Sequence, residues 1–295
     1  MNSRLQALVE RGYDKDLVLK LASFTDEDIE LACISAFKHI SRNCEGVDSP
    51  QAFFIGGQPG CGKTIMSMNF KRKIKNIVEI GIDNYRMYHP KYLEIERVIR
   101  EHWKDKKETE NDSPGNDIAD FTHLFAGKMT DILIEMCKKN KYNMIIEWGM
   151  REPEAPLKAM KELKENDYNN IVLFIATNKN ISYNACNIRS DIMKKSPHVI
   201  RKVPKNFHDL CIDSLPISIN KIYEVGTANK IIDLMCIVNR NNEILWDNDT
   251  IELPGDVYRN NINMNAGIEY NNAMFSIYSN NKEMIGLNVE TVKNK

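Results

Sequence analysis

With 295 residues, 42% of them hydrophobic, the chain has enough apolar material for one large α/β domain with appendages, and too much for general disorder. Its 40 Lys and Arg balance 41 Asp and Glu, which argues against nucleic acid or an anionic membrane as the main partner. Seven scattered cysteines, never spaced C-x-x-C, exclude a zinc framework and fit reduced thiols; with no signal-like opening and no apolar run of membrane-spanning length, a soluble cytoplasmic protein is expected.

Residues 1–46 read as a helical N-terminal segment. Leu5, Leu8 and Val9, then Leu17, Val18 and Leu21, fall at helical spacing, and Thr25-Asp26-Glu27-Asp28 caps a further helix through residue 39. A first strand at 52–55 runs into Gly57-Gln58-Pro59-Gly60-Cys61-Gly62-Lys63-Thr64, the pattern G-x-x-x-x-G-K-T, and a helix-compatible stretch follows at 65–75. Glycines let successive backbone N–H groups turn inward toward phosphate oxygens, and the following helix points its positive end at the same anion. Lys63 supplies a mobile cation for the outer phosphates and the Thr64 hydroxyl a ligand for Mg²⁺. Cys61 reads as a small filler within the loop. The motif alone leaves open whether a phosphoryl group is transferred to water, to a small molecule or not at all.

A second strand at 77–82 ends next to Asp83, where a doubly wound sheet presents side chains to its ligand crevice; a carboxylate there can take the proton of an attacking hydroxyl, or merely cap the following turn. A helix is expected at 92–107, a polar loop at 107–116, and a long amphipathic helix through Ile118, Phe121, Phe125, Met129, Ile132, Leu133 and Met136. The third strand, 144–147, ends on Glu147, a position suited to a carboxylate that steers Mg²⁺ and equally to a buried structural acid. A helix at 154–164, a strand at 171–176, and helices at 181–195 and 204–223 follow. Arg151, Arg189 and Arg201 could answer the charge of a moving phosphoryl group, although surface arginines are commonplace. His89 and His208 read as fixed or packing residues. A hairpin of 231–238 and 243–246 turns at Asn239-Arg240-Asn241-Asn242. The alternation of apolar runs and helices predicts an α/β, P-loop kinase-like fold at 47–250, a central and largely parallel sheet with helices on both faces and a C-terminal hairpin. Residues 251–295, rich in Asn, read as a loosely attached tail.

Taken together, the stretch 49–64, Ile82-Asp83-Asn84-Tyr85-Arg86-Met87-Tyr88-His89-Pro90, Ile145-Ile146-Glu147 with Arg151, and Arg189, Arg201, Pro204 and His208 in that order resemble the zeta toxins, the kinase half of epsilon/zeta toxin–antitoxin systems, over about 24–247. The resemblance implies ATP and Mg²⁺ as cofactors, with Lys63 and Thr64 at the nucleotide and metal. Asp83 would be the general base, Glu147 would serve metal and substrate, and Arg189 with Arg201 would clamp the transferred phosphate. Asp131 stands where the family has a Glu on the substrate side, and Arg151 matches an Arg near the substrate. The implied reaction is phosphorylation of the 3′-hydroxyl of the sugar of UDP-N-acetylglucosamine, blocking cell-wall precursor synthesis, with a small helical antitoxin as the family's partner. Three departures bear on the substrate: Gly81 replaces the first Asp of the family's I-D-x-D, Glu147-Trp148-Gly149-Met150-Arg151 replaces E-G-T-x-R, and Arg201-Lys202-Val203-Pro204 replaces R-A-T-P. A kinase acting on another nucleotide or antibiotic hydroxyl, and a nucleotide-binding module without transfer, are the competing readings.

Overall fold

The computed structural model describes residues 1–74, 76–193 and 202–264. Six strands form one sheet in the order β2-β3-β1-β4-β5-β6. These are β1 (Gln51–Gly56), β2 (Val78–Gly81), β3 (Met144–Glu147), β4 (Asn169–Ala176), β5 (Leu234–Asn239) and β6 (Ile244–Asp247). Every pairing is parallel except β5 with β6, the expected hairpin.

Alternation along the strands sorts the core into two faces. Ala52 and Phe54 of β1, with Val78, Ile80, Met144, Ile146, Val172 and Phe174, pack beneath α3 (Asp26–Ile40), α6 (Pro114–Lys139), α7 (Glu154–Lys164) and α9 (Lys205–Ala228). Phe53, Ile55, Ile145, Leu173 and Ile175 face the other way, onto Met66 and Phe70 of α4 (Lys63–Lys73). Burial on both faces is why these strands read as unbroken apolar runs. A third cluster joins α1 (Ser3–Glu10) and α2 (Lys15–Ala22) to α5 (Tyr92–His102) and the start of α6 through Leu8, Val18, Leu21, Ile95, Ile99 and Phe121.

Local signals account for most boundaries. Thr25 and Asp28 form a reciprocal capping box at the start of α3. Pro114 opens α6 at a position that needs no N–H donor. The helix expected to reach residue 107 stops at His102; Trp103 caps it and donates its indole N–H to Asp117 at 2.6 Å. The segment after β2 winds into a 3₁₀ helix, Ile82–Tyr88, an element the apolar pattern does not announce.

The expectation of a loose tail from 251 is corrected over its first part. Residues Pro254–Asn263 form α10, with Pro254, Val257, Tyr258 and Ile262 buried at helical spacing and Asn260 and Asn263 on the outer face. Gly255 allows the close crossing with α9: a Cβ there would lie 2.0 Å from the Pro216 carbonyl oxygen. Its N–H donates to Asn220 Oδ1 at 2.7 Å. Residues 265–295 lie outside the described residues.

Candidate functional site

The loop between β1 and α4 turns at its glycines. Gly57, Gly60 and Gly62 have φ of 136°, 76° and 113°, conformations that side chains resist. Gly60 also has no room for one, since its Cβ would sit 2.0 Å from the Ser182 carbonyl oxygen. Lys63 folds back over the loop and donates to the Gly57 and Gln58 carbonyls at 2.8 and 3.1 Å, with Cys61 Sγ 3.8 Å from its ammonium. Thr64, half-buried, occupies the first turn of α4. A glycine-rich turn at a helix N-terminus with an ammonium beside it is the kind of setting that attracts phosphate oxygens.

Four distant elements brace this loop. Thr177, just past β4, donates through Oγ1 to the Cys61 carbonyl at 2.9 Å. Arg240, in the β5–β6 turn, donates to the Gly60 carbonyl at 2.9 Å, and burial lowers its pKa. Gln58, wholly buried, donates through Nε2 to the Thr177 carbonyl and to Ser182 Oγ of α8 (Lys179–Met193), the latter at 3.4 Å. Tyr258 of α10 donates its hydroxyl proton to Gln58 Oε1.

Parallel register brings two acids to the same end of the sheet. Glu147 stands opposite Ile55 on one side and Gly81 on the other, and Asp83 lies two residues beyond Gly81. The Asp83 side chain is about half exposed and accepts from Arg86 Nε at 2.7 Å, while Arg86 is itself anchored on the Ala119 carbonyl and Thr122 Oγ1 of α6. Glu147 accepts from Ser67 Oγ of α4 at 2.6 Å. Burial raises the Glu147 pKa and the like charge of Glu79 adds to the rise, against the Ser67 hydrogen bond and the Lys63 ammonium. Hard oxygen donors from Thr64 and Glu147, the latter with a second carboxylate beside it, suit Mg²⁺.

Beyond Glu147, Trp148 is half-buried and Gly149 exposed, with nothing within 4 Å of where a Cβ would stand. Met150 is buried in a left-handed conformation (φ 50°), held by a 2.7 Å hydrogen bond from Ser218 Oγ to its carbonyl. Arg151 pairs with Glu152. Asp131, on the outer side of α6, has Lys158 and Glu162 of α7 as its charged neighbours, and partial desolvation of its carboxyl raises its pKa. Arg189 is exposed on α8, and Arg201 lies outside the described residues. His89 is buried against Phe24 and Phe125, its pKa lowered by burial to about 4, so it is neutral near pH 7. His208 is buried with Nε2 2.9 Å from Ser182 Oγ, a packing residue as its sequence setting suggests.

Ser67, Arg240 and Tyr258 were not singled out by sequence reasoning. Ser67 carried one signal, its place one helical turn after Lys63; Arg240 and Tyr258 carried none, because their partners are 180 and 200 residues away.

The zeta toxin family profile matches residues 35–251. Toxin PezT of Streptococcus pneumoniae serotype 4 is 28% identical over 215 residues, covering 72% of this chain and 79% of that protein. Toxin zeta of Streptococcus pyogenes is 25% identical over 213 residues, or 72% of this chain and 69% of that protein. A solved structure from the PezAT chromosomal toxin–antitoxin system of Streptococcus pneumoniae superposes with a TM-score of 0.71 at 23% identity, over 91% of this chain and 99% of that one. Among the described residues no helix is long and apolar enough to cross a membrane. The fold is a P-loop kinase-like α/β fold, and the chain belongs to the zeta toxin family.

Proposed function

We propose that this protein is an ATP-dependent phosphotransferase that phosphorylates a sugar hydroxyl of a UDP-activated amino sugar, the 3′-hydroxyl of UDP-N-acetylglucosamine in the first instance. The observation that carries the reading is the convergence of the glycine cradle, Lys63, Asp83 and Glu147 at one end of three adjacent parallel strands. Gly57 to Thr64 would hold the nucleotide phosphates. Asp83, oriented by Arg86, would accept the hydroxyl proton as the new O–P bond forms and the bond from the γ-phosphorus to ADP breaks. Thr64 and Glu147 would hold Mg²⁺, which when bound supplies positive charge to the β- and γ-phosphates. Arg189 and Arg201 are the proposed clamp on the transferred group, and Arg151, Asp131 and Glu147 the proposed substrate side. Membership of the family supports a toxin role, with a small helical antitoxin as partner.

Mg-ATP offered with a panel of UDP-sugars should yield one product heavier by a phosphate, and cells expressing the chain should grow only with its antitoxin. Asp83→Asn should keep ATP binding and slow transfer by about 10²–10⁴-fold. Product at near wild-type rate from that variant would remove Asp83 as the base. The half-buried Trp148 and open Gly149 favour one second reading, the same chemistry on another nucleotide or antibiotic hydroxyl, which a wider panel would expose.

A further inference from the structure

Tyr258 is the largest polar side chain brought to the phosphate loop from outside the span that matches the family, which ends at residue 251. Its ring is fully buried, edge-on to Phe174 of β4. Burial pushes its phenol well above the usual range, so the proton stays on the oxygen. The hydroxyl therefore has one proton to donate and lone pairs to accept with. It uses both on one residue: it donates to Gln58 Oε1 and accepts from the Gln58 N–H at 3.3 Å.

Gln58 is the second residue of the phosphate loop, and its remaining amide protons go to the Thr177 carbonyl and to Ser182 Oγ on α8. Ser182 in turn pairs with His208 of α9. A single buried side chain thus ties the loop to α8, the helix that carries Arg189, and Tyr258 holds the oxygen end of its amide. Without the hydroxyl, Gln58 Oε1 and N–H are left unpaired in the interior, where such groups are costly, and the side chain is held through its Nε2 end alone.

We infer that Tyr258 is a positioning residue of the nucleotide site: through Gln58 it holds the phosphate loop and α8 in the arrangement that receives ATP, making α10 part of the working site. The inference rests on the reading of Gly57 to Thr64 as an ATP site. Its rival is a helix that only packs.

The test compares Tyr258→Phe, which removes one oxygen, with Ile262→Val, which trims the same buried face of α10 without touching the loop. ATP binding is read by calorimetry and KM for ATP by turnover, with melting temperature alongside. Tyr258→Phe should weaken ATP binding and raise KM for ATP by about tenfold, as loss of a buried hydrogen-bonded pair implies. Its KM for the acceptor should not move, and Ile262→Val should lower the melting temperature with ATP affinity unchanged. If Tyr258→Phe binds ATP as wild type does, or if both variants lose affinity in step with stability, Tyr258 only packs and the proposal falls. A wild-type protein that binds no ATP would overturn the loop reading instead, and the proposal with it.

Discussion

Glu147 is pulled in two directions by its surroundings. Burial and the neighbouring Glu79 favour its protonated form, while Ser67 and Lys63 favour its charge. The pKa therefore lies above the ordinary value of 4.5. Between the two values the native state keeps a proton that the unfolded chain has released, so folding weakens as pH rises through that window. Glu147→Gln removes this term and leaves the other shifted groups, His89 and Asp117 among them, in place. In EDTA, the melting temperature of Glu147→Gln should gain on wild type as pH rises above 4.5, then level off once the carboxyl has ionised. Added Mg²⁺ should close the gap by binding the wild-type carboxylate. A difference that stays flat over the whole pH range would mean that Glu147 is not strained by its setting. The acid's place at a strand end was legible in the sequence; its partner Ser67, 80 residues earlier, was not.

At the scale of elements, α1 and α2 are held by charge as well as by apolar packing. Asp117 of α6 is fully buried and is met by Tyr13 Oη, Trp103 Nε1 and Arg11 Nη1, each at 2.6 Å. Arg11 also reaches Asp120, whereas Arg4 meets Asp120 from a more exposed position. Removing Arg11 strands a buried carboxylate, while removing Arg4 breaks a pair that water replaces easily. Arg11→Ala should therefore cost about 3 kcal/mol and Arg4→Ala about 0.5 kcal/mol, measured by urea unfolding. Equal costs would show that the N-terminal helices dock by apolar contact alone. The helices of this segment were readable from spacing and caps, because those signals are local. The 3₁₀ turn that sets Asp83 and the helix that delivers Tyr258 were not. The first has no periodicity of its own, and in the second Asn-rich composition masks a short apolar stripe at 254, 257, 258 and 262.

Across the molecule, the proposed reaction would place the phosphate donor on one flank of the sheet and the acceptor on the other. The loop, Thr177, α8, Arg240 and α10 gather around β1, β4 and β5, where the nucleotide phosphates would lie. Asp83 and the segment 147–151 gather at β2 and β3 on the other flank of β1. The two flanks meet along the β1–β3 pairing, at the Trp148 backbone N–H and at Met150 beside Gly56, so a change that touches none of these should be felt by one substrate only. Gly149 is the place to test this. It is exposed, and a Cβ there meets nothing within 4 Å. Gly149→Thr should leave stability within about 0.5 kcal/mol of wild type, as surface substitutions usually do. It should change KM for a UDP-sugar severalfold and leave KM for ATP where it was, because no brace of the phosphate loop passes through it. A Thr variant that altered ATP binding equally would mean that the flanks are coupled through Trp148, whose backbone N–H donates to the Ile55 carbonyl at 3.1 Å. Trp148→Gly keeps that backbone bond, so if ATP binding then became independent of residue 149 the coupling would lie in the indole, and if not, in the backbone.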